Sequence, residues 1–361
     1  METAMASRLN RFRIAMQQVY GPFDHIQLEN ARNWIPPPNS GGHRGRYLWT
    51  DAFGVLDFLT LYKETSEAKF LVFAKRLTQT VHDVLGWTRD GTSRLPGATD
   101  QHPLDGGLRI GKIDAAGADG DGQYHHYLTL WMFALNRLSV ASEDRIYNDQ
   151  AIELAKAIHP HFFLHRKTTY PRMVWKISMD MSRPLVASQG HLDATTGYVI
   201  FHLLQATANQ GPILDEEISD YKRVMDLTET HFESSDTLDL GMALWIAHWC
   251  PRTSAWAENM AQSCIRSLHR IFSRDRYTER SLAHRLAFRE FGALIGTQCY
   301  GHEYSLQARV PPIMAMWEKY IDELTPEDLK PITMAMYASA LLPTAFRKGG
   351  LHQEPELVDV P

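Results

Sequence analysis

Residues 131–135, Trp-Met-Phe-Ala-Leu, decide the fold, because the predicted helix that contains them (about 122–138) is apolar on nearly every side. Residues 242–247, Met-Ala-Leu-Trp-Ile-Ala, have the same character within a predicted helix at about 237–249. A helix without a polar face must be buried on all sides. The sequence therefore predicts central helices that are surrounded by other helices.

Helical periodicity covers most of the chain, and two kinds of helix alternate along it. The predicted apolar helices are about 47–63, 122–138, 193–209, 237–249 and 326–345. Predicted helices with many charges and one apolar stripe, typical of a half-exposed helix, are about 66–85, 143–164, 214–232 and 254–273. Three further helices are predicted at about 3–20, 279–298 and 311–323.

The alternation predicts an inner and an outer ring of helices. Six such hairpins would form an all-α (α/α)6 barrel, here a single domain over residues 1–346 with a flexible tail at 347–361. An open helical solenoid is the alternative. The segment 173–177, Met-Val-Trp-Lys-Ile, is the best strand-like exception and could form a short hairpin.

Composition excludes several classes of function. The net charge of −5 and the scattered Lys and Arg argue against nucleic-acid binding, and no apolar run reaches the roughly 20 residues needed to span a bilayer. Cys250, Cys264 and Cys299 are too few and too far apart for a disulfide framework or a zinc site. We expect a cytoplasmic protein without a cofactor or metal. A homodimer and an N-terminal mitochondrial presequence (about 1–20) stay open as alternatives.

Three long connections, at about 21–46, 86–121 and 165–192, each precede an apolar helix. Long loops of this kind are usually functional. Because each leads into an inner helix, all three should lie on one side of the barrel. We expect a pocket for a small-molecule substrate on that side.

The strongest polar cluster is the segment 120–127, Gly-Asp-Gly-Gln-Tyr-His-His-Tyr, at the start of an apolar helix. Imidazoles exchange protons near neutral pH, so His125 and His126 are candidate catalytic residues, together with Asp121. Tyr124 is a candidate for substrate binding. In a helix that begins at 122, Tyr124 and His125 share one face and His126 lies on another, so at most one histidine should face the pocket. Alternatively, one histidine bonds a loop carbonyl.

A second cluster, Gly190-His191-Leu192-Asp193, also enters an apolar helix. His191 and Asp193 are candidate catalytic residues, although Asp193 fits the role of a helix N-cap equally well. The guanidinium groups of Arg183 and Arg109 are candidates for binding a carboxylate or phosphate.

A third cluster, at the start of the first apolar helix, contains Trp49 and Asp51. A Trp face can stack on a sugar and a carboxylate can accept hydroxyl hydrogen bonds. Asp239 in a later helix is a comparable carboxylate. Alternatively, Trp49 belongs to the core and both carboxylates have structural partners. The segment 104–112 nearly matches a phosphate-binding loop, but Ile113 stands where Ser or Thr is required, so we expect no nucleotide site.

These helix starts, with Trp/Asp, Asp-Gly-Gln-Tyr-His-His and Gly-His-Leu-Asp, resemble the six-hairpin glycosidase-like superfamily over about residues 3–345. That superfamily includes N-acylglucosamine 2-epimerase-type enzymes, glycoside hydrolases and polysaccharide lyases. The epimerase-type enzymes use paired histidines as acid and base, which the resemblance assigns to His126 and His191. Its glycosidases use two carboxylates, and the candidates here are Asp51, Asp121, Asp193 and Asp239.

The leading functional prediction is a sugar isomerase or epimerase in which His126 (or His125) and His191 exchange protons. Arg109 and Arg183 would stabilise a developing oxyanion. Three alternatives remain. The first is a glycoside hydrolase or lyase, and the second is a non-catalytic helical scaffold with dispersed histidines. The third is a cyclase or isomerase of a hydrophobic metabolite, with a pocket lined by Phe53, Trp131, Met132 and Trp245.

Overall fold

The computed structural model describes residues 2–38, 46–117, 120–208, 210–227, 232–274, 280–352 and 357, and most of them are helical. The helices are α1 (Glu2–Tyr20), α2 (Leu28–Ala31), α3 (Leu48–Thr65), α4 (Ala68–Leu85), α5 (His125–Ser142), α6 (Ile146–Phe162), α7 (Asp193–Ala208), α8 (Asp215–Leu227), α9 (Thr237–Ala247), α10 (Ala255–His269), α11 (Ala287–Tyr300), α12 (Tyr304–Gln307), α13 (Val310–Leu324) and α14 (Lys330–Leu341). The strands are β1 (Gln123–Tyr124), β2 (Phe163–Leu164), β3 (Arg172–Met173) and β4 (Lys176–Ile177).

Most predicted helix bounds agree with the structure within a few residues. The largest differences are at helix starts. The helix predicted at 279 begins at Ala287, after a short 3-10 turn at Leu282–His284, and residue 279 itself lies outside the described part. The helix predicted at 326 begins at Lys330, because a 3-10 turn occupies Glu327–Leu329. The four-residue helices α2 and α12 were too short for a periodic signal.

One compact unit, Tyr20–Glu229, consists of three successive hairpins: α3 with α4, α5 with α6, and α7 with α8. The first helices of the hairpins, α3, α5 and α7, pack side by side, and most of their residues are buried. The second helices bury one face, as α4 does with Phe70, Phe73 and Leu77. The predicted alternation of apolar and half-exposed helices is therefore present in this unit.

The other unit, Met1–Val19 with Thr230–Pro361, is built around α9 and α11. These two helices approach closely at glycines: a Cβ on Gly241 would lie 2.1 Å from the carbonyl oxygen of Gly292. Part of the predicted flexible tail is packed, because the Lys348 amide donates to His248 Nε2 (3.0 Å) and Leu351 is buried. Residues 353–356 and 358–361 lie outside the described part.

The short strands join the long loops of the first unit to its helix starts. β1 pairs with β4 and β2 pairs with β3, both antiparallel. The prediction of a hairpin within 173–177 is therefore wrong: the strands at its two ends pair with other segments. The amide of Leu48, at the start of α3, donates to the Ile110 carbonyl (2.9 Å). Loops 86–121 and 165–192 thus meet the starts of α3 and α5.

Within the described residues, none of the helices has the length and apolar character that crossing a membrane requires.

Candidate active site

A buried carboxylate and a buried imidazole meet where α7 and α5 begin. Asp193 is the first residue of α7, and its Oδ1 lies 3.4 Å from Nδ1 of His125, the first residue of α5. On its other side, His125 Nε2 is hydrogen-bonded to the Tyr221 hydroxyl at 2.8 Å. The second carboxylate oxygen, Asp193 Oδ2, is buried and has no hydrogen-bond partner. A buried carboxylate oxygen without a partner is costly, so it points to a functional site.

Glycine at position 190 keeps the space beside this oxygen open. A Cβ on Gly190 would lie 2.1 Å from Asp193 Oδ2 and 3.3 Å from the Trp175 Cβ. Any larger residue at this position would cover the carboxylate or displace it. The loop that precedes α7 therefore approaches the carboxylate with backbone alone.

His126 lies among aromatic rings. Its ring centroid is 4.6 Å from that of Trp49 and 6.3 Å from that of Tyr124. Tyr124 in turn packs on Tyr127 (4.3 Å) and Trp175 (5.0 Å). The rings of His126, Tyr124, Tyr127 and Trp175 are half-buried, whereas Trp49 is buried. These rings form a largely apolar surface at the start of α5.

The environment of His126 favours its neutral form. Desolvation by burial lowers the pKa of His126 to about 4, although the nearby Asp193 carboxylate partly opposes this shift and His125 adds to it. The Nδ1 atom of His126 is buried without a hydrogen-bond partner. A ring nitrogen without a partner, within the electrostatic influence of a carboxylate that also has an oxygen without a partner, can accept or deliver protons.

The two adjacent histidines face different surroundings, because α5 begins at His125 and not at 122. Residues 123–124 are extended, so Tyr124 lies with His126 and not with His125, contrary to the prediction. His125 packs instead on Phe162, with ring centroids 5.1 Å apart.

Asp121 and Arg109 are engaged with each other. Arg109 Nη1 and Arg89 Nη1 lie 3.1 Å and 2.9 Å from Asp121 Oδ2, and the Gly111 amide donates to Oδ1. The Arg109 Nε also donates to the Trp87 carbonyl (2.9 Å). Buried charges paired in this way hold a loop in place. The arrangement favours a structural role for both residues, while the predicted roles of Asp121 in catalysis and Arg109 in substrate binding stay predictions.

Asp51 has comparable partners. Arg46 Nε (2.9 Å) and the Tyr20 hydroxyl (3.0 Å) both donate to its Oδ1, and the Asp51 carboxylate is fully buried. The Arg46 guanidinium also lies over the Tyr20 ring, 4.9 Å from its centroid. The alternative in which this carboxylate has structural partners fits this geometry better than sugar binding does.

The remaining predicted residues have other surroundings. His191 and Arg183 are exposed. Asp239 belongs to the other compact unit, where the Ser234 hydroxyl donates to its Oδ2 (3.1 Å). The four residues proposed to line an apolar pocket are all fully buried in the core: Phe53, Trp131, Met132 and Trp245.

Sequence reasoning missed Tyr221 and the positions of Gly190 and Trp175. Tyr221 lies on the apolar stripe of a charged helix, with Ile218 and Val224, and that pattern predicts only packing. Nothing in the sequence marked its hydroxyl as a partner of His125. The glycine was noticed, but its contact with Asp193 depends on the path of the loop.

Among the described residues, no group of three or more His, Cys, Asp or Glu side chains could hold a metal ion. Cys250, Cys264 and Cys299 take part in no disulfide among the described residues.

No protein-family model matches the chain, and no curated protein matches it. Two solved structures do match. One is a family 76 glycoside hydrolase from a bovine Bacteroides thetaiotaomicron strain, with 11% identity, a TM-score of 0.62, and coverage of 94% of this chain and 77% of that chain. The other is the family 76 glycoside hydrolase (mannosidase) of Bacteroides thetaiotaomicron VPI-5482, with 13% identity, a TM-score of 0.56, and coverage of 94% and 99%.

These likenesses establish the fold. The prediction of an all-α (α/α)6 barrel is confirmed, while the specific resemblance to epimerase-type enzymes stays a prediction. The chain has the six-hairpin glycosidase-like fold of these glycoside hydrolases.

Proposed function

We propose that the protein is a glycoside hydrolase whose reacting groups are Asp193 and His126. The observation that carries this proposal is the buried Oδ2 of Asp193, which has no hydrogen-bond partner and belongs to a carboxylate whose charge acts on His126. The fold supports the same class of activity, because both matching structures are glycoside hydrolases. One of them is described as a mannosidase, so a mannoside is the first substrate to test.

Glycoside hydrolysis requires a base or nucleophile on one side of the bond and a proton donor for the leaving oxygen. In this proposal, the Asp193 carboxylate takes a proton from the attacking water as the new carbon–oxygen bond forms. Protonated His126 gives its proton to the leaving oxygen as the glycosidic bond breaks. The half-buried ring of Tyr124 offers an apolar face for the sugar. An imidazole thus takes the place of the second carboxylate that most glycosidases use.

A sugar isomerase or epimerase is the second candidate, and a different property of His126 favours it. A pKa of about 4 leaves this imidazole neutral at pH 7, and a neutral imidazole is a base that can remove a proton from a sugar carbon. In that reaction the imidazolium formed at His126 would return the proton at a neighbouring position, and the Asp193 carboxylate would offset its positive charge.

The products distinguish the two candidates. The protein is incubated with manno-oligosaccharides, other oligosaccharides and free sugars, and the products are analysed by chromatography and by an assay for reducing ends. We expect shorter oligosaccharides and new reducing ends. Converted free sugars without new reducing ends would contradict hydrolysis and support the isomerase. Unchanged turnover in both His126→Gln and Asp193→Asn would show that the reaction occurs elsewhere.

A further inference from the structure

Tyr221 reaches the Asp193–His125 pair from an outer helix. It lies in the middle of the charged helix α8, yet it is fully buried, and its hydroxyl meets His125 Nε2 on α5. On the way it passes α7 at Gly197, where a Cβ would lie 2.3 Å from the Tyr221 Cζ. Only a glycine at position 197 lets this ring lie so close to α7.

The surroundings of Tyr221 keep its phenol protonated. The rings of Phe163 and Phe201 lie 5.3 Å and 5.0 Å from its ring centroid. This burial, and secondarily the negative charge of Asp193, raises the pKa of Tyr221 well above its usual value. The neighbouring His159 does not compete for the hydroxyl, because its Nε2 pairs with Asp220 Oδ2 at 3.0 Å. The protonated Tyr221 hydroxyl can therefore donate to His125 Nε2.

A donor at Nε2 decides the tautomer of His125. A neutral imidazole has one N–H, so a ring nitrogen that accepts a hydrogen bond leaves the proton on the other nitrogen. His125 then has its proton on Nδ1, which faces Asp193 Oδ1 at 3.4 Å. That distance is long for a hydrogen bond, and Nδ1 has no hydrogen-bond partner in this structure, although such catalytic contacts often tighten only once a substrate is bound.

We propose that Tyr221 is a positioning residue that holds His125 as its Nδ1–H tautomer and through it orients Asp193, leaving Oδ2 for the substrate. This inference rests on the proposed function, because it concerns the same carboxylate. A residue of the outer helix α8 thus has a role in the site formed where α5 and α7 begin. His125 then acts as the link between the tyrosine and Asp193, while His126 exchanges the proton.

The chain offers a matched control. Tyr20 is also fully buried, also passes a glycine of an inner helix (Gly54, where a Cβ would lie 1.9 Å from the hydroxyl), and also meets a carboxylate, Asp51 at 3.0 Å. That carboxylate is held by Arg46. Tyr20→Phe therefore removes an equivalent buried hydroxyl from a structural pair.

The test measures the tautomer of His125 directly and needs no substrate. Protein with 15N-labelled histidine is studied by NMR through two-bond proton–nitrogen couplings, and His125→Gln assigns the His125 signals. We expect the Nδ1–H form in the wild type and in Tyr20→Phe, and a population of the Nε2–H form in Tyr221→Phe. An unchanged His125 pattern in Tyr221→Phe, or an equal change in Tyr20→Phe, would overturn the proposal.

Two further measurements keep the test decisive. If Tyr221→Phe does not fold, fluorotyrosine is incorporated into the wild-type protein instead. Fluorination makes the phenol a stronger hydrogen-bond donor, and the Nε2 resonance of His125 must then shift. With an active substrate, Tyr221→Phe should lower kcat about tenfold with KM changed less than about twofold, as expected for one positioning hydrogen bond. Tyr20→Phe should leave kcat per folded molecule unchanged. If no substrate is found, the proposed function is in doubt, but the tautomer result still decides this inference.

Discussion

Buried carboxylates near the inner-helix starts differ in their partners. Asp51 is held by Arg46 and Tyr20, and Asp121 is held by Arg109 and Arg89. Full pairing offsets the cost of burying a charge. Asp193 lies beside an imidazole only, and one of its oxygens has no hydrogen-bond partner. Incomplete pairing is therefore what distinguishes the candidate reacting group from the structural carboxylates.

The pH dependence of turnover should reveal the role of His126. If this imidazole donates the proton to the leaving group, it must be protonated, and its pKa is about 4. We expect kcat/KM to fall roughly tenfold for each pH unit above about 4. The measurement is a pH–rate profile from pH 3 to 8, with circular dichroism confirming that the protein is folded at each pH. Activity that is constant at neutral pH and is lost below about 4 would instead identify His126 as a base.

At this scale, sequence reasoning selected Asp193, His126 and His125 as candidate residues but could not separate them from Asp51 and Asp121. All of these residues are polar groups at the starts of apolar helices. Which carboxylate is neutralised depends on arginines delivered by loops, such as Arg89, which donates to Asp121 across 32 residues of chain. Loop paths follow from many weak contacts, and no sequence period encodes them.

At the scale of elements, the structure differs from the prediction mainly where helices begin. The helical pattern before His125 extends to residue 122, but Gln123 and Tyr124 pair with β4 instead. The two-residue strand β1 pairs antiparallel with β4, which lies in a loop more than 50 residues away in sequence. Because a strand alternates its side chains, this pairing places Tyr124 with His126, which a helical wheel could not show.

The close contact of α9 and α11 makes a sharp prediction about stability. A Cβ on Gly241 would lie 2.1 Å from the Gly292 carbonyl oxygen, so Gly241→Ala must push the two helices apart. We expect the free energy of unfolding to fall by about 1–3 kcal/mol or more, the usual cost of overpacking. Chemical denaturation followed by circular dichroism measures this change.

Gly349→Ala is the control for that substitution. Gly349 has a φ of +76°, and no other atom lies within 4 Å of the place a Cβ would take, so alanine there adds backbone strain without a collision. A loss of about 1 kcal/mol is expected for such a change. Equal losses in the two variants would contradict the steric explanation for Gly241.

At the scale of the whole molecule, composition and periodicity were enough to predict the fold class. Helices apolar on all sides alternate with striped helices, and the matches to two family 76 glycoside hydrolase structures confirm the (α/α)6 barrel. The type of reaction was harder to predict from the sequence, because the same fold is used for several different reactions. The sequence predicts an isomerase from its histidine pairs, whereas the glycoside hydrolase alternative is the one that we propose.

The most direct test of the account is the turnover of Asp193→Asn. The substitution keeps the size of the side chain but removes its charge and its ability to act as a base. Hydrolysis of the best manno-oligosaccharide is compared with that of the wild type, and unfolding free energies are measured for both. Asp121→Asn is the contrast, because it removes a carboxylate of the arginine-held loop and should lower stability instead.

We predict that Asp193→Asn lowers kcat by at least about 100-fold, the usual lower bound for losing a general acid or base, while its unfolding free energy stays close to that of the wild type. A folded Asp193→Asn protein whose kcat lies within about threefold of the wild-type value would contradict the central claim that this carboxylate carries the reaction.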